Sequence, residues 1–352
     1  MRRGSTQYVP RRLRGLLRAP LLAAALVFAA CGESEEPASN GAAAGAKLED
    51  PAIAKLVPQE IRDRGELIIG TNAPYPPLEF FAEDNKTLVG FDIDLGYALA
   101  DVLGLKATWK NTSFDSIIPG LSAGRYDIGI AGFGVEPERL EVVDFIGYYL
   151  SGGGFLVKKG SGIEVNDFKD TMCGLRVAVQ KGTSQVEKIH GAKEYCASNG
   201  KEPVTILEIP DQNVVVLTLA SGRADVVSAD KPAAEYAAKQ SNGQLCVTGS
   251  YRTLHSIAGV AVPKRWPPEF NEALQQAVQK LIDSGEYQRI AEKWGTGVAG
   301  SQTEVSEEYH EISKAWGVGL DGAVKEAKIF TNPNEIDGGK DIFPQPIREG
   351  CA

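Results

Sequence analysis

The sequence predicts an α/β fold in which one open pattern of strands and helices occurs twice. Short apolar runs, of the length that buried strands have, alternate with stretches whose apolar residues recur at helical spacing. The first series occupies residues 61–131 and the second occupies residues 177–228. Two such series predict two lobes, each with a sheet that is covered by helices.

The first series contains two strands with helices between them. Leu67–Gly70 is a short apolar strand, and Asp94–Gly104 carries apolar residues on one helical face before a glycine stop. The next helix has Ser113 or Asp115 as its cap, and Ile128–Ala131 is again a strand. This alternation is typical of an open α/β sheet.

The second series repeats the alternation. Val177–Val179 is a strand, a helix begins near Ser184, and Val204–Ile209 is a strand. A further helix ends at Gly222 before the strand Val226–Ser228. Ligands of such sheets bind at the carboxyl ends of the strands, so the residues that directly follow the strands are the candidates for a binding site.

The first fifty residues have the composition of an export signal and a tether. Arginines precede an apolar stretch, Ala19–Ala30, which ends in small residues directly before Cys31. This layout is similar to a bacterial lipobox, which implies cleavage before Cys31, acylation of its thiol and anchoring to the cell membrane. Gly32–Asp50 is poor in apolar residues and is typical of a flexible linker. A plain signal peptide and a twin-arginine signal at Arg11 and Arg12 are the alternatives.

Composition and charge exclude several classes of protein. The chain has 352 residues, of which 43% are hydrophobic and 24% charged, and these are globular proportions. No apolar run reaches the ~20 residues of a membrane-spanning helix, so a multi-span membrane protein is excluded. The net charge is −9, whereas a nucleic-acid-binding protein needs a basic face. The three histidines and five cysteines lack the spacing of a zinc site, and we expect neither a metal nor a cofactor.

Side chains at the four strand ends together predict a receptor for a zwitterion. The candidates are Asn72, Tyr75, Ala131, Gly132, Gly134, Arg139, Gln180, Thr183, Ser184 and Asp230. Arg139 can clamp a carboxylate with two hydrogen bonds, and the carboxylate of Asp230 can hold an ammonium group. Glycines let backbone N–H groups approach an anion, and Tyr75 supplies a flat aromatic wall. Each residue alone is more typical of a surface or core position, but their joint placement indicates an α-amino acid as the ligand.

Several motifs resemble those of one known family. Gly-Phe-Asp-Ile-Asp-Leu at 90–95, Pro-Glu-Arg at 137–139, Gly-Thr at 182–183 and Gly-Arg-Ala-Asp at 222–225 are similar to segments of bacterial solute-binding proteins of family 3. Those proteins are extracytoplasmic receptors of polar amino acid ABC transporters. The resemblance covers residues 61–295. It implies a type II periplasmic-binding-protein-like fold with two crossover hinge strands and a ligand cleft that closes by a hinge motion.

The N-terminal composition and the family resemblance together divide the chain into five parts. These are a signal peptide (1–30), a lipid anchor with a flexible linker (31–60), lobe 1 (61–156 together with 258–298), lobe 2 (157–257) and a C-terminal extension (299–352). Within the extension, residues 308–317 repeat the pattern of residues 286–295. We expect this second copy to form an amphipathic helix that packs on the body.

The resemblance also implies a role for each site residue. Arg139 matches the arginine that binds the ligand carboxylate, and Asp230 matches the aspartate that binds the ammonium. The remaining matches are Tyr75 and Phe114 as aromatic walls, Gly132 as a backbone contact, and Thr183 and Ser184 as carboxylate donors of lobe 2. Gly134 replaces a hydroxyl residue of the family, and Asn72 replaces a frequent aspartate. Because Asn72 and Gln180 are both neutral, we expect an uncharged polar amino acid as the ligand.

The predicted function is therefore binding rather than catalysis. The protein is expected to act as a monomer that delivers an amino acid to the permease subunits of an ABC importer. One alternative is an enzyme on the same fold, similar to cyclohexadienyl dehydratase, with Glu79 as the candidate acid or base. Another alternative is a ligand-sensing lipoprotein.

Four cysteines remain when Cys31 is acylated, and export places them in an oxidising compartment. A strand followed by a returning helix brings its two ends close together. We therefore expect a disulfide between Cys173, before the strand at 177, and Cys196, after the returning helix. Buried free thiols are the alternative. A second bridge, Cys246–Cys351, would tie the C-terminal extension to lobe 2.

Overall fold

Two β-sheets organise the part of the chain that the computed structural model describes, namely residues 48–150, 152–251, 257–296, 324–335 and Cys351. The strands are, in chain order, β1 (Glu66–Thr71), β2 (Phe80–Phe81), β3 (Leu88–Val89), β4 (Lys106–Asn111), β5 (Ile128–Gly129), β6 (Val143–Leu150), β7 (Gly153–Lys158), β8 (Arg176–Gln180), β9 (Thr205–Ile209), β10 (Val226–Asp230), β11 (Leu245–Tyr251), β12 (Ile257–Pro263) and β13 (Ile329–Phe330). The helices are α1 (Pro51–Ala54), α2 (Gln59–Arg64), α3 (Phe91–Val102), α4 (Ile117–Ser122), α5 (Pro137–Leu140), α6 (Ser184–Ser198), α7 (Gln212–Ala220), α8 (Lys231–Gln240), α9 (Pro268–Asp283) and α10 (Glu286–Trp294). None of these helices has the length and apolar character needed to cross a membrane.

The two sheets belong to two lobes. In lobe 1 the strand order is β13-β6-β12-β5-β1-β4, and in lobe 2 it is β11-β7-β10-β8-β9. β1 is parallel to β4 and β5, and β8 is parallel to β9 and β10. The chain passes between the lobes twice, from β6 to β7 and from β11 to β12, which are antiparallel strands of their sheets. The predicted two-lobed α/β fold with two crossovers is confirmed.

Helix α3 illustrates how the sequence determines the packing of lobe 1. Most of its residues are buried, and Gly96 faces the ring of Trp109 on β4. A Cβ atom on Gly96 would lie 2.5 Å from that ring, so only glycine allows the helix to approach the sheet this closely. The same packing brings the fully buried carboxyl of Asp92 into the interior of the lobe.

The first crossover lies earlier in the chain than predicted. Residues 153–156 were expected in lobe 1, but they pair with β10 and β11 in lobe 2. The run of glycines at 152–154 allows the chain to change sheets here. A Cβ on Gly153 would lie 2.0 Å from the ring of Tyr251, which is a contact that no other residue tolerates.

Lobe 1 also begins earlier than predicted. The expected linker, residues 31–60, ends in α1 and the start of α2, and Ile53 and Val57 are buried in the core of lobe 1. Asp50 caps α1, and its carboxylate accepts a hydrogen bond from Lys280 Nζ at 2.9 Å. The predicted signal peptide, Cys31 and nearly all of the tether lie outside the described residues.

The described part of the C-terminal extension packs on lobe 1. β13 pairs with β6 in an antiparallel manner, and Val324, Ala327 and Phe330 are buried. These apolar side chains cover an edge of the lobe 1 sheet, so residues 324–330 are an integral part of lobe 1. The predicted helix at residues 308–317 lies outside the described residues.

Both predicted disulfides are present. Cys173 and Cys196 are bonded with their Cα atoms 5.6 Å apart, and Cys246 and Cys351 are bonded with their Cα atoms 5.5 Å apart. The first bond closes a loop at a sequence separation of 23 residues, for which a stabilisation of ~2–4 kcal/mol is typical. The second bond attaches Cys351 to β11 of lobe 2. The carbonyl of Cys351 also accepts a hydrogen bond from Gly160 N–H at 3.0 Å.

Candidate functional site

Residues from the strand ends of both lobes surround one cavity. All eleven predicted binding residues line it: Asn72, Tyr75, Phe114, Ala131, Gly132, Gly134, Arg139, Gln180, Thr183, Ser184 and Asp230. Other lining residues were not predicted as binding residues, and these are Glu79, Glu136, Gly152, Gly153, Gln185, Lys188, Tyr251 and Ala258. Half of this second group lies on or beside the crossover strands, which reach the cavity through tertiary packing and carry no local sequence signal of binding.

Arg139 forms part of the lobe 1 wall from the short helix α5. Its guanidinium stacks over the rings of Phe114 and Phe133, with distances of 5.4 and 5.6 Å from Cζ to the ring centroids. Nη1 donates to the carbonyl of Gly134 at 2.9 Å, and Nη2 donates to the carbonyl of Gly182 in lobe 2 at 3.2 Å. Burial lowers the pKa of Arg139, but a guanidinium stays charged at neutral pH. Its remaining N–H donors are available to a carboxylate.

Asp230 provides the opposite charge at the carboxyl end of β10. The hydroxyl of Tyr75 in lobe 1 donates to its Oδ2, and Nε2 of Gln185 in lobe 2 donates to its Oδ1, both at 2.9 Å. Burial raises the pKa of Asp230 to about 6, and the hydrogen bonds from Tyr75 and Gln185 act in the opposite direction. The carboxyl is therefore ionised above about pH 6, held in place by both lobes.

Two neutral amides meet across the cleft at another point of the cavity wall. Gln180 Nε2 donates to Asn72 Oδ1 at 2.7 Å and to the carbonyl of Pro210 at 3.2 Å. Asn72 Nδ2 donates in turn to the carbonyl of Thr112 at 2.7 Å. All of these groups are neutral, so this part of the wall offers hydrogen bonds without a formal charge.

The N-terminus of α6 offers backbone donors from lobe 2. Thr183 is the N-cap residue, and its hydroxyl donates to the carbonyl of Gln180 at 2.7 Å. Gly182 has a φ of +79°, and a Cβ there would lie 2.8 Å from Cβ of Asp115, so this tight turn requires glycine. The first N–H groups of a helix lack intrahelical partners and attract anions, which makes the backbone at Ser184 suitable for a carboxylate.

A pair of buried carboxyl groups lies beside the cavity, and its pairing was not predicted. Glu79 and Asp92 are 1% and 0% exposed, and the backbone N–H of Asp92 donates to the carbonyl of Leu78 at 2.9 Å, which makes the two carboxyl groups neighbours. Asp92 Oδ2 also accepts hydrogen bonds from Gly132 N–H and from the Tyr148 hydroxyl, both at 2.8 Å. Burial and the charge of Asp92 raise the pKa of Glu79 well above its usual range. Acidic residues within otherwise apolar stretches were the sequence signal for such a pair.

The part of the chain that the structure describes contains no cluster of histidine, cysteine and carboxylate side chains that could hold a metal ion. The polar groups around the cavity are thus hydrogen-bonding and charged side chains together with backbone N–H groups. Such a set can bind and orient a small zwitterion.

Comparison with protein families gives a match over most of both lobes. The family described as bacterial extracellular solute-binding proteins, family 3, matches residues 67–297. This range includes the two charged residues of the cavity, Arg139 and Asp230, and the two amides, Asn72 and Gln180. It ends just after α10.

Individual relatives agree with the family match. The arginine-binding protein ArgT of Corynebacterium glutamicum is 36% identical over 246 residues, which are 70% of this chain and 79% of that protein. An ancestral arginine-binding protein, solved with arginine and with glutamine, is 34% identical with TM-scores of 0.60 and 0.58, covering 66% of this chain and 98% of its own. An ancestral amino acid-binding protein, described as a precursor of cyclohexadienyl dehydratase, is 32% identical with a TM-score of 0.58, covering 67% of this chain and 97% of its own.

Proposed function

The chain belongs to the bacterial extracellular solute-binding proteins of family 3, and on this premise we propose its function. It is an extracytoplasmic receptor that binds an amino acid between its two lobes and delivers it to the permease subunits of an ABC importer. The observation that carries the proposal is that Arg139 and Asp230, two partly buried groups of opposite charge, lie on the wall of one cavity. An α-amino acid carries the two complementary charges on groups that are bonded to the same carbon.

The ligand's backbone groups are held by both lobes in this proposal. Its carboxylate accepts hydrogen bonds from Arg139 and from the N–H groups at the start of α6, near Thr183 and Ser184. Its ammonium donates to Asp230 and lies beside the backbone of Gly132. Since the donors and acceptors come from different lobes, the ligand stabilises the closed arrangement of the lobes.

The ligand's side chain is proposed to be polar and uncharged. It extends toward Asn72 and Gln180, whose neutral amides can donate and accept hydrogen bonds but supply no counter-charge. Tyr75 and Phe114 flank the cavity as aromatic walls. A carboxamide side chain such as that of glutamine fits these partners.

A cationic side chain is the alternative. The relative from Corynebacterium glutamicum is called an arginine-binding protein. In addition, a second cavity shares Arg139 and Thr183 with the first. It contains more carboxylates than cations, namely Asp115, Glu136, Glu138, Glu187 and Glu208 beside Arg139 and Lys181, and this acidic excess would attract a guanidinium. The two proposals differ in which free amino acid stabilises the protein.

A thermal-shift screen of the twenty amino acids and cystine, followed by titration calorimetry, tests the proposal. We expect L-glutamine or another uncharged polar amino acid to raise the melting temperature by about 5–10 °C at a concentration of about 100 Kd, because binding to the folded state then adds about 2.7 kcal/mol. A shift with arginine alone would support the receptor function but contradict the proposal that the ligand's side chain is uncharged. No shift with any of these compounds would refute the receptor.

An enzyme on the same fold is the second candidate function. Glu79 lines the cavity, and its raised pKa is a property of general acids. The related ancestral protein described as a dehydratase precursor gives this candidate its reaction class. Incubation of the pure protein with prephenate-like acids decides the question, because loss of substrate in the wild type but not in Glu79→Gln would establish catalysis.

Cys31 is proposed to carry the lipid that holds this monomer at the membrane. The small residues before it and the polar segment Gly32–Asp50 after it support this anchor. In Cys31→Ser we expect soluble protein or uncleaved precursor in place of membrane-bound protein, as measured by fractionation and by mass spectrometry of the N-terminus. Cys173→Ser is the matched control and is expected to stay in the membrane fraction; unchanged retention of Cys31→Ser would contradict the anchor.

A further inference from the structure

We propose that Glu79 is a further residue of the ammonium subsite and that it works there as a neutral carboxylic acid. This inference rests on the proposed function. The protonated Glu79 carboxyl donates a hydrogen bond to Asp92, and its carbonyl oxygen accepts a hydrogen bond from the ammonium group of the ligand.

The position of Glu79 is the first support. The side chain lines the cavity although it is only 1% exposed. The backbone N–H of Tyr75 donates to the carbonyl of Glu79 at 2.6 Å, and the Tyr75 hydroxyl reaches Asp230. A Cβ built on Gly132 would lie 2.9 Å from Leu78 Cδ1 and 3.9 Å from Asp230 Oδ2. The segment that carries Glu79 therefore meets the ammonium-binding carboxylate at one corner of the cavity.

The contact between the two carboxyl groups requires a proton. The backbone N–H of Asp92 donates to the carbonyl of Leu78 at 2.9 Å, which makes the side chains of Glu79 and Asp92 neighbours, and Glu79 Oε2 and Asp92 Oδ1 are both buried without a hydrogen-bond partner among the described residues. Two carboxylates cannot form a hydrogen bond unless one of them is protonated. The pair thus carries one shared proton.

The surroundings place that proton on Glu79. Asp92 receives two donors, from Gly132 N–H and the Tyr148 hydroxyl, and these stabilise its ionised form. Burial raises the pKa of Asp92 to about 6, whereas burial together with the charges of Asp92 and Asp230 raises the pKa of Glu79 well above its usual range. Because the donors lie on Asp92 and Glu79 Oε2 has none among the described residues, the negative charge belongs to Asp92 and the shared proton to Glu79.

The charged and titratable groups around Glu79 come from several elements: Asp92 of α3, Tyr148 of β6, Asp230 at the end of β10, and Tyr75 of the loop that carries Glu79. Arg139 of α5 acts on this group through Asp230. A third ionised carboxylate at this corner would repel the first two. A neutral acid instead adds an acceptor for the ammonium, which has three N–H donors, without adding a buried charge.

The test compares two substitutions of Glu79 by calorimetry at pH 7.5 with L-glutamine and L-arginine as probes. Glu79→Leu removes donor and acceptor and is expected to weaken binding at least tenfold. Glu79→Gln keeps an N–H donor for Asp92 and a carbonyl for the ammonium, so we expect it to bind at least fivefold more tightly than Glu79→Leu. Glu83→Gln, an exposed residue of the same loop, is the matched control and is expected to bind like the wild type.

An independent measurement covers the case in which Glu79→Leu fails to fold. The infrared spectrum of the wild type at pH 7.5 should contain the C=O band of a buried protonated carboxyl, and Glu79→Gln should lack it. Absence of this band in the wild type, or binding by Glu79→Gln as weak as that of Glu79→Leu, would overturn the inference. If the wild type binds and Glu79→Leu matches it, this inference alone fails; if the wild type binds neither probe nor any other amino acid, the proposed function fails as well.

Discussion

Replacing Arg139 by alanine is expected to weaken amino acid binding by about 2–5 kcal/mol, which is a loss of roughly 30- to 5,000-fold in affinity. The partly buried guanidinium lies against the stacked rings of Phe114 and Phe133, and this contact orients it toward the cavity. Without it, the ligand carboxylate is removed from water and meets only backbone N–H groups at the start of α6. Titration calorimetry with the amino acid identified in the screen measures the loss.

Two further variants separate charge from packing at this position. Arg125→Ala removes the same charge from an exposed arginine that lies over an aromatic ring, that of Tyr126, and it is expected to bind like the wild type. Arg139→Lys keeps the charge but loses the planar fork and the stacking, so its affinity should lie between those of the wild type and Arg139→Ala. Wild-type affinity in Arg139→Ala would show that the carboxylate binds elsewhere.

The positions of the strand ends could be predicted because local patterns determine them. The apolar runs at 67–70 and 177–179 lie within β1 and β8, and α6 begins at Ser184 as expected. Polar residues directly after buried strands must lie at the sheet edge, whatever the rest of the chain does. That is why Asp230 could be identified at its strand end, and Arg139 in the segment that follows β5, before their positions in space were known.

Partners that are distant in the sequence could not be predicted in the same way. Tyr75 and Asp230 hydrogen-bond across 155 positions, and Gln185 reaches Asp230 across 45 positions. Neither contact has a periodic or spacing signal, since the first depends on how the two lobes meet and the second on how α6 packs beside the end of β10 within lobe 2. The Cys173–Cys196 disulfide is different, because a strand and its returning helix bring those residues together within one α/β unit.

Element boundaries without a local stop signal were also displaced. Helix α3 begins at Phe91 and not at the predicted Asp94, because Phe91 is buried in the core of lobe 1 and extends the helix toward the loop before it. Likewise, Ile53 and Val57 follow a polar linker and form too short an apolar pattern to predict, yet they pack on lobe 1. Tertiary burial, which the sequence does not display locally, determines both cases.

Replacing Asp230 by asparagine is expected to weaken binding by about 2–5 kcal/mol, because the ligand ammonium loses its buried counter-charge. In the same variant, the binding affinity should also no longer depend on pH between pH 5 and pH 7. In the wild type, burial raises the pKa of Asp230 to about 6, so affinity should fall roughly tenfold between pH 7 and pH 5 as this carboxyl takes up a proton. Calorimetry across this range should give a nearly flat profile for Asp230→Asn.

Although Asp230→Asn is expected to weaken binding, the unliganded variant is expected to be more stable toward unfolding than the wild type. The pKa of Asp230 is raised from 3.8 to about 6 in the folded protein, so ionisation lowers stability progressively from pH 4 to pH 6 and fully above pH 6. Removing that ionisation should stabilise the protein at pH 7.5 by up to about 3 kcal/mol in denaturant titrations. Asp225→Asn is the matched control: a hydrogen bond from Arg176 lowers the pKa of Asp225, so that variant should lose stability slightly and keep its affinity. A parallel loss of stability and binding in Asp230→Asn would mean that Asp230 supports the fold, and its assignment to the ammonium would then be wrong.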